Sequence, residues 1–285
     1  MKKIKLILNP KAGEGQAVEI AKSVEEILEK KRAIFSLDST YRAGGATLLA
    51  KKAVKLGFDI VAAIGGDGTV NEVINGLIGS KVIFGVIPAG LKNNLAKSLG
   101  IPLEVEAACE ALFSGVTQKV DIGKINERYF ISGVSLGVDA ELSSSKKVNL
   151  KNLLKTLLSY KPEPVSLKFE DGRLIDTKML LLSIANAKDF GGCFQLLPQA
   201  KLEDRLLDVC LVGSPSRFQL LTLIPKILKA EPLTLPYSTK LKTKDLWIDS
   251  PFPLPIQVDG EILPDERPYH IHIFRQRINV LTPKV

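Results

Sequence analysis

The chain is 285 residues long, 45% hydrophobic and 6% aromatic, and carries a formal net charge of +8. That length supplies a real core for one large domain or two medium ones, and no apolar run approaches the roughly 20 residues needed to cross a bilayer, which excludes a helical membrane-spanning protein. Too few aromatics interleave with the basic residues to form a base-stacking surface, so no nucleic acid is expected as a partner, and Cys109, Cys193 and Cys210, scattered and odd in number, fit a cytoplasmic protein without cysteine chemistry.

In chain order, Lys3 to Leu8 predicts a strand, and Ala17, Ile20, Ala21, Val24, Ile27 and Leu28 recur on one helix face. Ala33 to Leu37 predicts a second strand, Ala46 to Leu56 a helix, Phe58 to Ile64 a third strand and Val82 to Ile87 a fourth. Between the last two, Val70, Val73, Ile74, Leu77 and Ile78 mark another helix, leaving Gly65, Gly66, Asp67 and Gly68 as a strand-to-helix turn. Glycines there let a ligand approach the backbone, and the unpaired N–H groups of a helix start favour phosphate. An ordinary capping box at Thr69, Val70, Asn71 and Glu72 explains Thr69 and Glu72 but leaves Asp67 without a role. Strands alternating with helices imply a parallel sheet covered on both faces, with ligands bound beyond the carboxyl ends of the strands. Three turns fall on that rim: NPKAGEG from Asn9, IGGDGT from Ile64 and IPAGLKNN from Ile87.

After about Val120 strand-like runs follow one another with short turns, and Asp171-Gly172 is a strong hairpin signal. The expected architecture is an α/β N-terminal domain with a parallel sheet over 1–120 and a mostly antiparallel, β-rich second domain over 121–285, whose last residues are free to pack back on the first. From Ser143 to Lys161 five lysines and no acid accompany leucines at helical spacing, the pattern either of a helix on an anionic membrane surface or of a core-packing helix with a solvated basic face. Phe218 to Leu228 is a further helical run, interrupted by Pro225.

LNPKAGEG, Thr40, GGDGTVNEVINGL, SLGIP, GVSLGVDAE, ANAKDFGG, LPQAKLEDRLLDV and IQVDGE, in this order, resemble the catalytic region of the diacylglycerol kinase family, including its bacterial lipid-kinase and sphingosine-kinase relatives. The resemblance implies a fold like that of NAD kinases and diacylglycerol kinases and an ATP-dependent lipid kinase. It implies a nucleotide site at Asn9, Pro10, Lys11, Ala12, Gly13, Thr40, Gly65, Gly66, Asp67, Gly68, Thr69, Val70, Asn71, Glu72 and Leu91, with Asp67 helping to hold a phosphate-bound Mg2+. It also implies a general base at Asp259 or Glu261, which point to one face if their segment is extended, and a structural magnesium loop with Asp204 as side-chain ligand and the carbonyls of Lys201 and Leu206 beside it. The implied partners are a lipid substrate, a peripheral membrane surface and a second copy of the chain in a homodimer, with a cytoplasmic location that extends to the membrane periphery. Four departures stand out. Arg205 follows Asp204 where the family carries glycine, and Leu91, Lys92 and Asn94 replace the family's threonine, small residue and aspartate. A competing expectation is therefore a nucleotide- or lipid-binding protein of the same fold that has lost kinase activity. NAD kinases and phosphofructokinases share the GGDG turn but lack its combination with NPKAG and VDGE.

Overall fold

The computed structural model describes residues 2–143, 150–190, 194–228 and 237–284. The chain divides into two compact units, one formed by Met1–Asp121 with Arg275–Val285 and the other by Ile122–Phe274.

The first unit is built on strands β1 (Lys3–Leu8), β2 (Ile34–Ser39), β3 (Ile60–Gly65), β4 (Ile83–Pro88), β5 (Val116–Val120) and β18 (Ile278–Thr282), in the order β2-β1-β3-β4-β18-β5. Neighbouring strands are parallel except β5, which runs antiparallel to β18. All six residues of β3 are buried, as a strand covered on both faces requires. Helix α1 (Ala17–Lys30) buries Ala17, Ala21, Val24 and Leu28, the apolar stripe visible in the sequence. Helices α2 (Gly45–Lys55), α3 (Asp67–Leu77), α4 (Asn94–Ser98) and α5 (Val105–Ser114) complete the unit. Every predicted element is present with small shifts at its ends. The largest is at α3, which starts at Asp67 rather than Val70 because its first turn is polar and carries no apolar period.

In the second unit, strands β6 (Gly123–Ile125), β7 (Arg128–Phe130), β8 (Gly133–Gly137), β9 (Glu163–Phe169), β10 (Leu174–Met179), β11 (Leu181–Ala185), β12 (Leu207–Val212), β13 (Ser238–Thr243), β14 (Asp245–Asp249), β15 (Ile256–Val258), β16 (Glu261–Leu263) and β17 (Tyr269–Ile273) form two sheets, ordered β10-β9-β14-β17-β6-β7 and β13-β12-β11-β8-β15-β16. The Asp171-Gly172 turn joins β9 to β10 as an antiparallel hairpin. Val134, Leu136 and Ile184 of one sheet and Leu167, Ile248 and Ile271 of the other share a core, each such side chain contributing on the order of 2 kcal/mol by burial. A second cluster gathers Val138, Leu142, Leu153, Leu157, Leu181 and Ile224. It draws on helices α6 (Val138–Ser143), α7 (Leu150–Ser159) and α8 (Arg217–Leu228). Pro225 lies inside α8 rather than ending it. Of the basic leucine-rich segment, α7 turns Leu153 and Leu157 into this cluster, while 144–149, with Lys146 and Lys147, lie outside the described residues. The stretch ANAKDFGG and Cys193 reach into 191–193, which also lie outside them. No helix among the described residues is long and apolar enough to cross a membrane.

Candidate active site

The carboxyl ends of β1, β2 and β3 lie side by side because these strands are parallel and in register, Leu8 opposite both Ser39 and Ile64. The turns that follow them are therefore neighbours. The Asn9 side chain ties two of these turns together: its Oδ1 accepts the Lys11 N–H at 3.1 Å, and its Nδ2 donates to Thr69 Oγ1 at 3.0 Å. Beside it opens a cleft of about 310 Å3 lined by Asn9, Lys11, Thr40, Gly68, Thr69 and Glu72, together with Tyr41, Arg42, Ala43 and Ala46. Six expected nucleotide residues thus meet in one concavity that also holds two cations, Lys11 and Arg42. The four residues at 41, 42, 43 and 46 were not expected from sequence. The signal that could have found them is positional, since the loop leaving β2 opens on the same rim as the other two.

The remaining expected residues are distributed around this cleft. Pro10, Ala12 and Gly13 continue the turn after β1, and Gly13, at φ +57°, sits so close to Ala89 that a Cβ would lie 2.6 Å from its carbonyl oxygen. Gly65 ends β3, and Gly66 packs against Gly90, where a Cβ on Gly90 would fall 2.4 Å from the Gly66 Cα. Those glycines are thus required by backbone crossing as well as by any phosphate. The carboxylate of Asp67 accepts the Leu95 N–H at 3.2 Å through Oδ1. Val70 and Asn71 are buried. Leu91 is 80% exposed, and neither it nor Lys92 nor Asn94 lines the cleft. Asn93 shapes their loop by bonding both the N–H and the carbonyl of Gly90, at 2.9 and 2.8 Å.

The capping-box alternative is overturned. Gly66 is the N-cap of α3 and makes no side-chain cap, and Thr69 lies within the first turn. Glu72 instead reaches across to the start of α2, accepting the Gly44 and Ala46 N–H groups at 3.0 Å each, an anion at a helix N-terminus.

In the second unit Asp259 and Gly260 form the two-residue turn of the β15–β16 hairpin, at φ +48° and +87°, as an Asp-Gly pair in a tight hairpin does. The segment is therefore not extended across VDGE, and the two carboxylates do not share a face in the way an extended strand would arrange them. Asp259 Oδ2 accepts the Ile131 N–H at 2.8 Å, and Oδ1 accepts those of Ser132 and Gly133 at 2.8 and 2.9 Å. These three backbone donors fix the orientation of the carboxylate. Glu261 is exposed and ion-paired with Arg128. Nearby, Asp139 is buried and accepts from Ser135 Oγ at 2.7 Å and from Gln257 Nε2 at 3.2 Å, which braces β8 against β15.

The loop at 201–206 does not fit a divalent ion as it is arranged. Asp204 Oδ1 accepts the Leu206 N–H at 3.1 Å, and Oδ2 is bonded to the Lys242 ammonium at 2.8 Å. Lys242 also lies 3.3 Å from the buried Asp208. The hydrogen bond to Asp204 holds the Lys242 ammonium above the usual lysine pKa. Like charge on the ammonium would oppose a cation at this carboxylate. Arg205 takes the left-handed conformation, φ +61°, that glycine adopts without strain.

Residues 3–125 match the model of the diacylglycerol kinase catalytic domain, and residues 133–282 match that of the YegS C-terminal NAD kinase beta sandwich-like domain. A diacylglycerol kinase of Staphylococcus aureus (strain bovine RF122 / ET3-1) is 31% identical, over 91% of this chain and 86% of the relative. One from Bacillus subtilis (strain 168) is 29% identical, over 100% of this chain and 97% of the relative. Among solved structures, a diacylglycerol kinase from Bacillus anthracis str. Sterne superposes with a TM-score of 0.78 at 20% identity, covering 99% of this chain and 97% of the other.

Proposed function

Because this chain belongs to the diacylglycerol kinase family and is an ATP-dependent lipid kinase, we propose that its acceptor is the free hydroxyl of a diacylglycerol. The relatives' names carry that acceptor. The observation that carries the nucleotide assignment is the cleft in which Asn9, Lys11, Thr40, Gly68, Thr69 and Glu72 converge with Arg42. Lys11 and Arg42 neutralise triphosphate charge, and the N-terminal turn of α3 offers backbone N–H groups to it.

Asp259 acts as the general base. Its carboxylate is held in one orientation by three backbone donors, whereas Glu261 is exposed and paired with Arg128. As the lipid oxygen forms its bond to the γ-phosphorus, the bond from that phosphorus to the β–γ bridging oxygen breaks, its electron pair leaves on ADP, and the hydroxyl proton passes to Asp259. Asp67 is the residue suited to hold a phosphate-bound magnesium, since Leu95 engages only its Oδ1. When bound, that ion supplies charge neutralisation on the phosphates.

For the acyl chains, the second unit offers a cleft of about 750 Å3 bordered by Leu157, Leu158, Tyr160, Leu180, Leu220 and Phe252. Leu158 and Phe252 are exposed beside it, and Lys151 and Lys155 are exposed on α7, a combination suited to peripheral contact with an anionic membrane.

The test is labelled ATP and magnesium with the purified chain and a mixed lipid extract, then with diacylglycerol alone. The expected product is the phosphomonoester of diacylglycerol. Label appearing on a different lipid overturns the acceptor. Lys11→Met and Arg42→Gln should each weaken ATP binding about tenfold or more, the usual scale for a lost charge-assisted bond, and unchanged affinity in both removes the nucleotide assignment.

A further inference from the structure

The chain has two histidines, and both stand on one patch of the second unit. His270 and His272 project from the same face of β17, two residues apart, while Tyr269 and Ile271 between and beside them enter the core. Across the ladder β14 places Asp245 opposite His272 and Trp247 opposite His270. These are the two central strands of their sheet. One donor atom from each of Asp245, His270 and His272 lies within 4.8 Å of the others. Two details show that the His270 ring is held rather than loose. Trp247 stacks on His270 with centroids 4.1 Å apart and planes 5° from parallel, and His270 Nε2 lies 2.7 Å from Asp245 Oδ2. His272 Nδ1 is shielded from solvent with no hydrogen-bond partner.

We propose that Asp245, His270 and His272 form a binding site for a divalent first-row transition ion, zinc being the fitting one. Two imidazoles and one carboxylate are borderline ligands that suit Zn2+ and not the hard, all-oxygen preference of Mg2+. Donors about 2.1 Å from a common ion sit at most about 4.2 Å apart, so closure requires side-chain movement of under roughly 1 Å. Lys124, opposite His272 on β6, opposes a cation, but Glu127 pairs with it at 3.0 Å. Coordination through Nδ1 of His272 would give that buried atom a partner, and a bound ion would clamp the two central strands.

The site is tested on the chelator-treated full-length chain without nucleotide, by Zn2+ calorimetry and by the visible spectrum of Co2+. One ion should bind per chain, with the intensified ligand-field bands of low coordination number, no thiolate charge-transfer band, and a raised unfolding temperature. His270→Ala, His272→Ala and Asp245→Asn should each weaken Zn2+ at least tenfold. Affinity unchanged in the histidine variants, a thiolate band, or the spectrum of hydrated Co2+ overturns the proposal. Should a variant fail to fold, the wild type still decides. Zn2+ must protect both histidines from diethylpyrocarbonate in a mass-spectrometric readout, and equal modification with and without Zn2+ overturns it.

Discussion

Asp259 and Lys242 show how much a single side chain can decide. Asp259→Asn removes the proposed proton acceptor while keeping a carbonyl oxygen for part of the backbone cradle at 131–133. Turnover at saturating ATP should fall on the order of 100-fold, with the affinity for ATP nearly unchanged, whereas Glu261→Gln, which loses an exposed pair with Arg128, should cost far less. Steady-state kinetics of both variants, with unfolding temperatures measured alongside, check this, and equal losses would remove the distinction. Lys242 is the cation that Asp204 and Asp208 share. Lys242→Met leaves two carboxylates facing each other, one of them buried, so stability should fall by about 1–3 kcal/mol in denaturant titration. The wild type should show no magnesium-dependent stabilisation through this loop, while the variant should recover part of its loss in magnesium.

Among elements, the start of α2 depends on a residue from α3. Glu72 fills two of the N–H groups that a helix start leaves without partners, and Gly44 as N-cap makes no side-chain bond of its own. Glu72→Ala should therefore cost about 1–2 kcal/mol in an equilibrium unfolding curve, even without nucleotide, and an unchanged midpoint would assign Glu72 to ligand contact alone. This is also where sequence reading met its limit. The first four strands and three helices of the first unit were legible because each carries its own hydrophobic period. The partner of Glu72 was not, because a carboxylate four residues into a glycine-rich turn has the same local signature whether it caps its own helix or a neighbour's. Asp259 illustrates the same limit: the Asp-Gly pair does announce a tight hairpin, but its carboxylate meets backbone 126 to 128 residues earlier in the chain. No local pattern encodes such a contact.

At the scale of the molecule, the second unit is an insertion within the first. The chain leaves the first unit after Asp121 and returns at Arg275, and β18 then enters the sheet between β4 and β5. Alternation of strands and helices could predict the first four strands but not this one, since its neighbours lie some 160 to 200 positions away in the sequence. Two consequences follow from that placement. Without β18, β4 gains a bare edge and β5 loses the strand it pairs with, which exposes their backbone groups and takes the buried Ile278 and Val280 out of the core. In addition Asp121, fully buried, loses Arg277, whose Nε lies 2.6 Å from its Oδ1. Removing one partner of a buried ion pair costs about 3–5 kcal/mol by itself, comparable with much of the total stability of an ordinary domain. Deleting 275–285 should therefore abolish cooperative unfolding of the first unit and with it ATP binding, although the deleted residues touch none of the cleft. The milder Arg277→Met should leave a folded protein with a clearly lower unfolding midpoint. Circular dichroism melts and nucleotide titration on both variants decide the matter: a truncated chain that still binds ATP with wild-type affinity would show that β18 is dispensable to the sheet it completes.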